Sequence, residues 1–145
     1  MAEALLRAHG GANFQSFSAG SQPNGRVNPY ALSQIRAAGW PTDDYHSKSW
    51  DAFAAPAAPQ LDFIFTVCGN AAGEACPIWP GRPASAHWGL ADPAAVVGSA
   101  AAIEAAFSNS FLILQRRIQR FVSLPLGTLD ADALQTQLRA IGEIS

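Results

Sequence analysis

Cys68, Cys76 and Asp92 are the side chains most suited by type and place to do chemistry. Cys68 closes the apolar run Leu61-Asp-Phe-Ile-Phe-Thr-Val-Cys68. That run reads as a strand, and open α/β sheets bind ligands at the carboxyl ends of their strands. Cys76 follows eight residues later, across a segment punctuated by Gly69 and Gly73. In a straight helix the two Cα atoms would stand about 12 Å apart, whereas a disulfide needs roughly 4.4–6.8 Å. The pair can therefore bridge only if the segment bends, which the glycines make cheap. That suits a redox pair that changes conformation. It leaves open a second reading, two small apolar fillers in a strand end and a loop. A zinc site drawn from Cys68, Cys76, His46 and His87 lacks the close Cys or His pairing such sites use. Asp92 precedes Pro93 just after a short strand, a place for a general acid facing a bound oxyanion and equally for a simple turn.

The elements that must position these groups alternate between helix and strand. Met1–Ala8 reads as helix and stops at His9-Gly10-Gly11. Phe14–Gly20 alternates like a strand and ends in a Gly/Pro/Asn-rich turn. Asn28-Pro29 is a helix opening, with the helix closing at Gly39. One helical turn is expected near Ser47–Phe53, then a Pro/Ala spacer. The run 61–68 has the continuous β-branched and apolar character of a strand buried in a parallel sheet. Ser85–Leu90 is a second, shorter strand. A long helix over 99–124 carries Ile103, Phe107, Phe111, Leu114, Ile118 and Phe121 as one stripe. Arg116, Arg117 and Arg120 are expected to complement its dipole. Pro125 stops it, and Leu134, Leu138 and Ile141 mark a tail helix. The domain reading is 1–125 for an α/β unit with a parallel sheet and 126–145 for the tail helix.

Composition narrows the partners. The chain has 145 residues, 49% of them hydrophobic and 14% charged, which is globular. A net charge of -2 gives no electrostatic reason to expect nucleic acid or an anionic membrane. No apolar run reaches the roughly 18 residues of a membrane span, and Met1–Arg7 has no basic n-region of a signal peptide. Two cysteines in such a chain favour a reducing, cytoplasmic setting.

Ser18-Ala19-Gly20, Asn28-Pro29, Thr66-Val67-Cys68-Gly69-Asn70-Ala71-Ala72, Cys76-Pro77 and His87-Trp88-Gly89 with Asp92-Pro93 occur in order. Together they resemble the thiol-linked arsenate reductases built on the low-molecular-weight tyrosine phosphatase fold, over Met1 to about Leu124. The resemblance implies a three-layer α/β sandwich around a short, four-stranded parallel sheet. It implies reduction of arsenate to arsenite by a cysteine relay, with Asp92 as general acid. Cys68 would be the second thiol and Cys76 the third, their disulfide reopened by a thioredoxin-like or glutaredoxin-like reductant. No bound cofactor is implied.

The departure is at the start. The family's first strand and its Cys-x-x-Asn-Ser-x-Arg-Ser loop would stand before Met1, so the nucleophile and oxyanion cradle are not among these residues, and the expectation is an N-terminally truncated chain. The absent strand would lie between Phe14–Gly20 and Leu61–Cys68, in the middle of the sheet. Glu3 and Ser18 match a potassium site of some members. Lys48 stands at a third matching position, where it is expected to replace the ion and pair with Glu3. Two rivals remain: a tyrosine phosphatase of the same fold, although Ala94 replaces the usual aromatic residue after Asp-Pro, and a non-catalytic protein that binds an oxyanion or arsenite.

Overall fold

The apolar stripe of the longest helix sets where everything else packs. The structure, a computed structural model, describes residues 1–68 and 79–145. In chain order it contains α1 (Ala2–Gly10), α2 (Pro29–Ala37), β1 (Phe63–Cys68), β2 (Ala84–Leu90), α3 (Ala100–Val122) and α4 (Ala131–Gly142). Short 3₁₀ turns lie at Gly11–Asn13, Trp50–Phe53 and Pro93–Ala95. This is a mixed α/β fold with a short two-stranded parallel sheet.

Local chemistry explains the helix boundaries. Asn28 accepts the Tyr30 N–H at 2.9 Å and Pro29 occupies the first helical position of α2. Ser99 caps α3 through the Ala102 N–H at 3.2 Å. Asp130 caps α4 through the Ala133 N–H at 2.8 Å. Phe111, Leu114, Ile118 and Phe121 of α3 are buried in one cluster with Leu5 of α1, Ile35 of α2 and Leu138 and Ile141 of α4, and Phe107, also buried, stacks on Tyr30. Each such side chain contributes about 1.5–3 kcal/mol when fully buried.

The sheet turns one face to that core. Phe65 stacks on Trp88 with ring centroids 3.9 Å apart, and Phe121 meets both Phe63 and Phe65 edge-on at 5.1 and 5.0 Å. The tail helix packs centrally: the Trp88 indole N–H donates to the Leu138 carbonyl at 2.9 Å. A methyl group on Gly142 would come within 2.9 Å of the His87 carbonyl oxygen, so only glycine lets α4 approach β2 this closely.

Two expectations are corrected. Phe14–Gly20 is not a strand; only Gly20 pairs, as an isolated parallel bridge with Ser49. Alternation makes a backbone extended, but a strand also needs a neighbour, and among the described residues Phe14–Ala19 has none. Arg117 does not serve the helix dipole from the surface. It is buried and donates to the carbonyls of Trp88 at 2.7 Å and Ile144 at 2.8 Å, tying α3 to β2 and the chain's end. Burial lowers its pKa from the usual guanidinium value, with Glu143 opposing the shift. No helix among the described residues is long and apolar enough to cross a membrane.

Candidate functional site at the strand ends

Cys68 is exposed at the carboxyl end of β1. Asp92 follows β2 by two residues. Both line one cleft of about 890 Å³, which runs along β1 between the strand and the extended segment at Phe14–Gly20. The structure thus brings Cys68, Asp92, Glu3 and Ser18 to a common cavity. Cys76 lies outside the described residues. Apolar side chains including Phe17, Phe63 and Phe65 form much of the wall. The charged residues among the described lining are Glu3, Asp62 and Asp92, all acidic.

Asp92 has a defined structural task. Its carboxylate accepts the Ala94 N–H at 2.9 Å and caps the Pro93–Ala95 turn. The turn uses one acceptor site of the carboxylate, which keeps further acceptor capacity.

The expected Lys48–Glu3 pair does not form. Glu3 accepts from Ser18 Oγ at 2.5 Å and from Arg7 at 3.3 Å, and Arg7 reaches on to Asp44 at 3.5 Å. Lys48 Nζ instead donates to the His46 carbonyl at 3.3 Å. Arg7 wins because it stands one turn along α1 from Glu3, the spacing at which helical side chains meet. Its guanidinium also lies 4.9 Å from the centre of the Tyr45 ring. Burial pushes the Tyr45 phenol above its ordinary pKa, and Arg7 partly counters this. Glu3, Arg7, Asp44 and Lys48 share a second, smaller cavity of about 370 Å³. Among the described residues no cluster of three or more His, Cys, Asp or Glu side chains is arranged to hold a metal ion.

Sequence reasoning missed the pairing of Thr66 with His87. Thr66 Oγ1 and His87 Nδ1 share a hydrogen bond of 2.7 Å across the parallel pair. Past that point three residues of β1, Thr66 to Cys68, face four of β2, His87 to Leu90, which makes a bulge. The signal in the sequence was the two-residue step from Thr66 to Cys68, which puts both on one face of a strand. Which residue of β2 stands opposite was not legible, because register is set by tertiary pairing.

Comparison of the chain with protein-family models and with curated proteins gives no match.

Proposed function

We propose that this chain carries the redox half of a thiol-linked arsenate reductase of the low-molecular-weight phosphatase-like type. The observation that supports it best is the placement of Cys68 at a strand's carboxyl end, on one cleft with Asp92. In this reading arsenate is first esterified to a thiol that is neither Cys68 nor Cys76. The Cys68 thiolate attacks that sulfur. The sulfur–arsenic bond breaks, its electron pair leaves with arsenic as arsenite, and a mixed disulfide remains. The Cys76 thiolate then attacks the Cys68 sulfur and releases the first thiol. A dithiol reductant of the thioredoxin or glutaredoxin class reopens the Cys68–Cys76 disulfide. Asp92 supplies the proton for the oxygen that leaves arsenic when the first thiol is esterified.

The acidic lining bears on all these readings alike. Asp62 and Asp92 repel any doubly charged oxyanion, arsenate included, and Glu3 is already paired with Arg7, so the described residues of the cleft do not by themselves capture the oxyanion.

The test uses Ellman's reagent on the reduced chain. The expected result is release of one thionitrobenzoate by Cys68, then a slower release of a second as Cys76 closes the internal disulfide, which thioredoxin with its reductase reopens. The slow phase disappears in Cys76→Ser. Two thiols that each stay labelled, with no internal disulfide by mass spectrometry, would sink the proposal.

A further inference from the structure

We propose that His87 is the base for the Cys68 thiol, taking its proton before attack, with Thr66 bonding the imidazole and Gly89 leaving the space it occupies. The inference rests on the reading of Cys68 as a working thiol, to which it adds a base.

Three observations converge. First, alternation along β1 puts Thr66 and Cys68 on one face of the strand. The opposite face bears Phe63, Phe65 and Val67 against the core. Trp88 is buried there too, so its neighbour His87 is turned outward, onto the face of Thr66 and Cys68, where it and Cys68 are both exposed. Second, the 2.7 Å bond from Thr66 anchors Nδ1. Third, Nε2 is directed along β2 toward Gly89: a methyl group on Gly89 would lie 2.5 Å from it. Gly89 immediately precedes Leu90, the register partner of Cys68. The ring therefore occupies space that a side chain at position 89 would take, one residue before the register partner of Cys68. The bulge lies in the same place, a device that re-aims side chains beside reactive sites.

The chemistry follows from the hydroxyl. A threonine oxygen both donates and accepts, so it stays bonded to Nδ1 in either charge state. When Nδ1 carries a proton and donates to Oγ1, Nε2 is bare and accepts the proton of the Cys68 thiol. The S–H bond breaks, its electron pair stays on sulfur, and imidazolium stands beside thiolate. A cationic neighbour favours the thiolate, the reactive form. Of the acidic residues that line the cleft, Asp62 precedes β1 at its far end, Glu3 is paired with Arg7, and Asp92, two residues after β2, is the one at the same strand ends as the thiol, where it disfavours a thiolate. Arg117 of α3, on the core side, bonds the Trp88 and Ile144 carbonyls.

The test is the pH profile of Cys68 alkylation by iodoacetamide in the Cys76→Ser chain, which does not depend on the relay. The expected profile rises in two steps, the first of which depends on His87. In His87→Gln the first step is lost and the rate at pH 7 falls roughly tenfold, as expected for a thiolate whose cationic partner is gone. Gly89→Ala displaces the ring without changing its chemistry and reproduces part of that loss. Superimposable profiles for parent and His87→Gln, or a drop equal at every pH, overturn the proposal. An unaltered Gly89→Ala profile also overturns it. If the Ellman assay finds no internal disulfide while this profile holds, the relay falls and the His87–Cys68 coupling stands.

Discussion

The two long edges of β1 face opposite fates. Toward β2 the strand is paired in a parallel register from Phe63↔Ala84 to Cys68↔Leu90. Toward the cleft no described strand pairs with it. The Ala84 N–H donates to the Asp62 carbonyl at 2.9 Å. Alternation therefore turns the backbone groups of Ile64 and Thr66 to β2, and those of Phe63, Phe65 and Val67 to the cleft. Yet the sequence of β1 is the same apolar, β-branched run throughout. Its composition belongs to a strand flanked on both sides, and one side meets an 890 Å³ cleft. The difference separates what holds the fold from what is left open for chemistry. The β2 side carries the packing that holds the fold, and the other side leaves the strand's edge and end on the cleft.

The largest effect is expected on the paired side. Trp88→Ala removes the ring that stacks on Phe65 and leaves the Leu138 carbonyl without its indole donor. A loss of about 3–5 kcal/mol is expected from the truncated aromatic core residue, read from urea unfolding at 25 °C. A loss below about 1 kcal/mol would show that the β2 side is not where the fold is held. Arg117→Met comes next. It keeps most of the apolar stem but strips the Trp88 and Ile144 carbonyls of a charged donor. The expected cost is about 2–4 kcal/mol, since hydrogen bonds to charged groups contribute about 1.5–3 each and some of that is recovered by water at the less buried end. Arg117→Lys should recover only part, because one ammonium cannot span both carbonyls as the fork does. Full recovery would reduce Arg117 to a mere charge.

How far the sequence foretold this division depends on whether the signal was local. The helix openings at Asn28 and Ser99 and the stripe on α3 were legible, because a cap and a 3.6-residue period are properties of neighbours in sequence. So were both paired strands and their parallel sense. Phe14–Gly20 was misread as a strand because alternation reports an extended backbone and not a partner. Arg117 was misjudged although it sits three residues after Leu114 and one before Ile118, on the buried stripe. Residue type outweighed position in that reading, and position decided. At the site, Cys68 and Asp92 stand out by type and context, and the structure puts both on one cleft. The Thr66–His87 bond depends on inter-strand register, which no local pattern of this chain encodes.

Asp92 lies between the two regions and has a foot in each. Asp92→Ala should cost about 1 kcal/mol by removing the cap on the Ala94 N–H. Asp92→Asn keeps an acceptor for that N–H and should leave unfolding unchanged within about 0.5 kcal/mol. The two variants divide structure from chemistry: any function that needs a proton from Asp92 is lost in both, while stability falls only in the first. Equal destabilisation by both would mean that the charge, and not the cap, is what the turn requires.

The smallest effect is expected on the open side. Phe17 lines the cleft, is 37% exposed, and touches Phe53 with ring centroids 5.3 Å apart. Phe17→Ser removes a ring that water already reaches, so the loss should stay below about 1 kcal/mol, well under that of the buried aromatics. The comparison with Trp88 is what matters, because both are large aromatic rings close to β1 and differ in which edge they serve. A loss of Trp88 size at Phe17 would mean that the cleft is closed in solution by a contact that orders Phe14–Gly20 against β1. Hydrogen exchange would then locate it, as protection of the Phe63, Phe65 and Val67 amides, the groups that alternation turns toward the cleft.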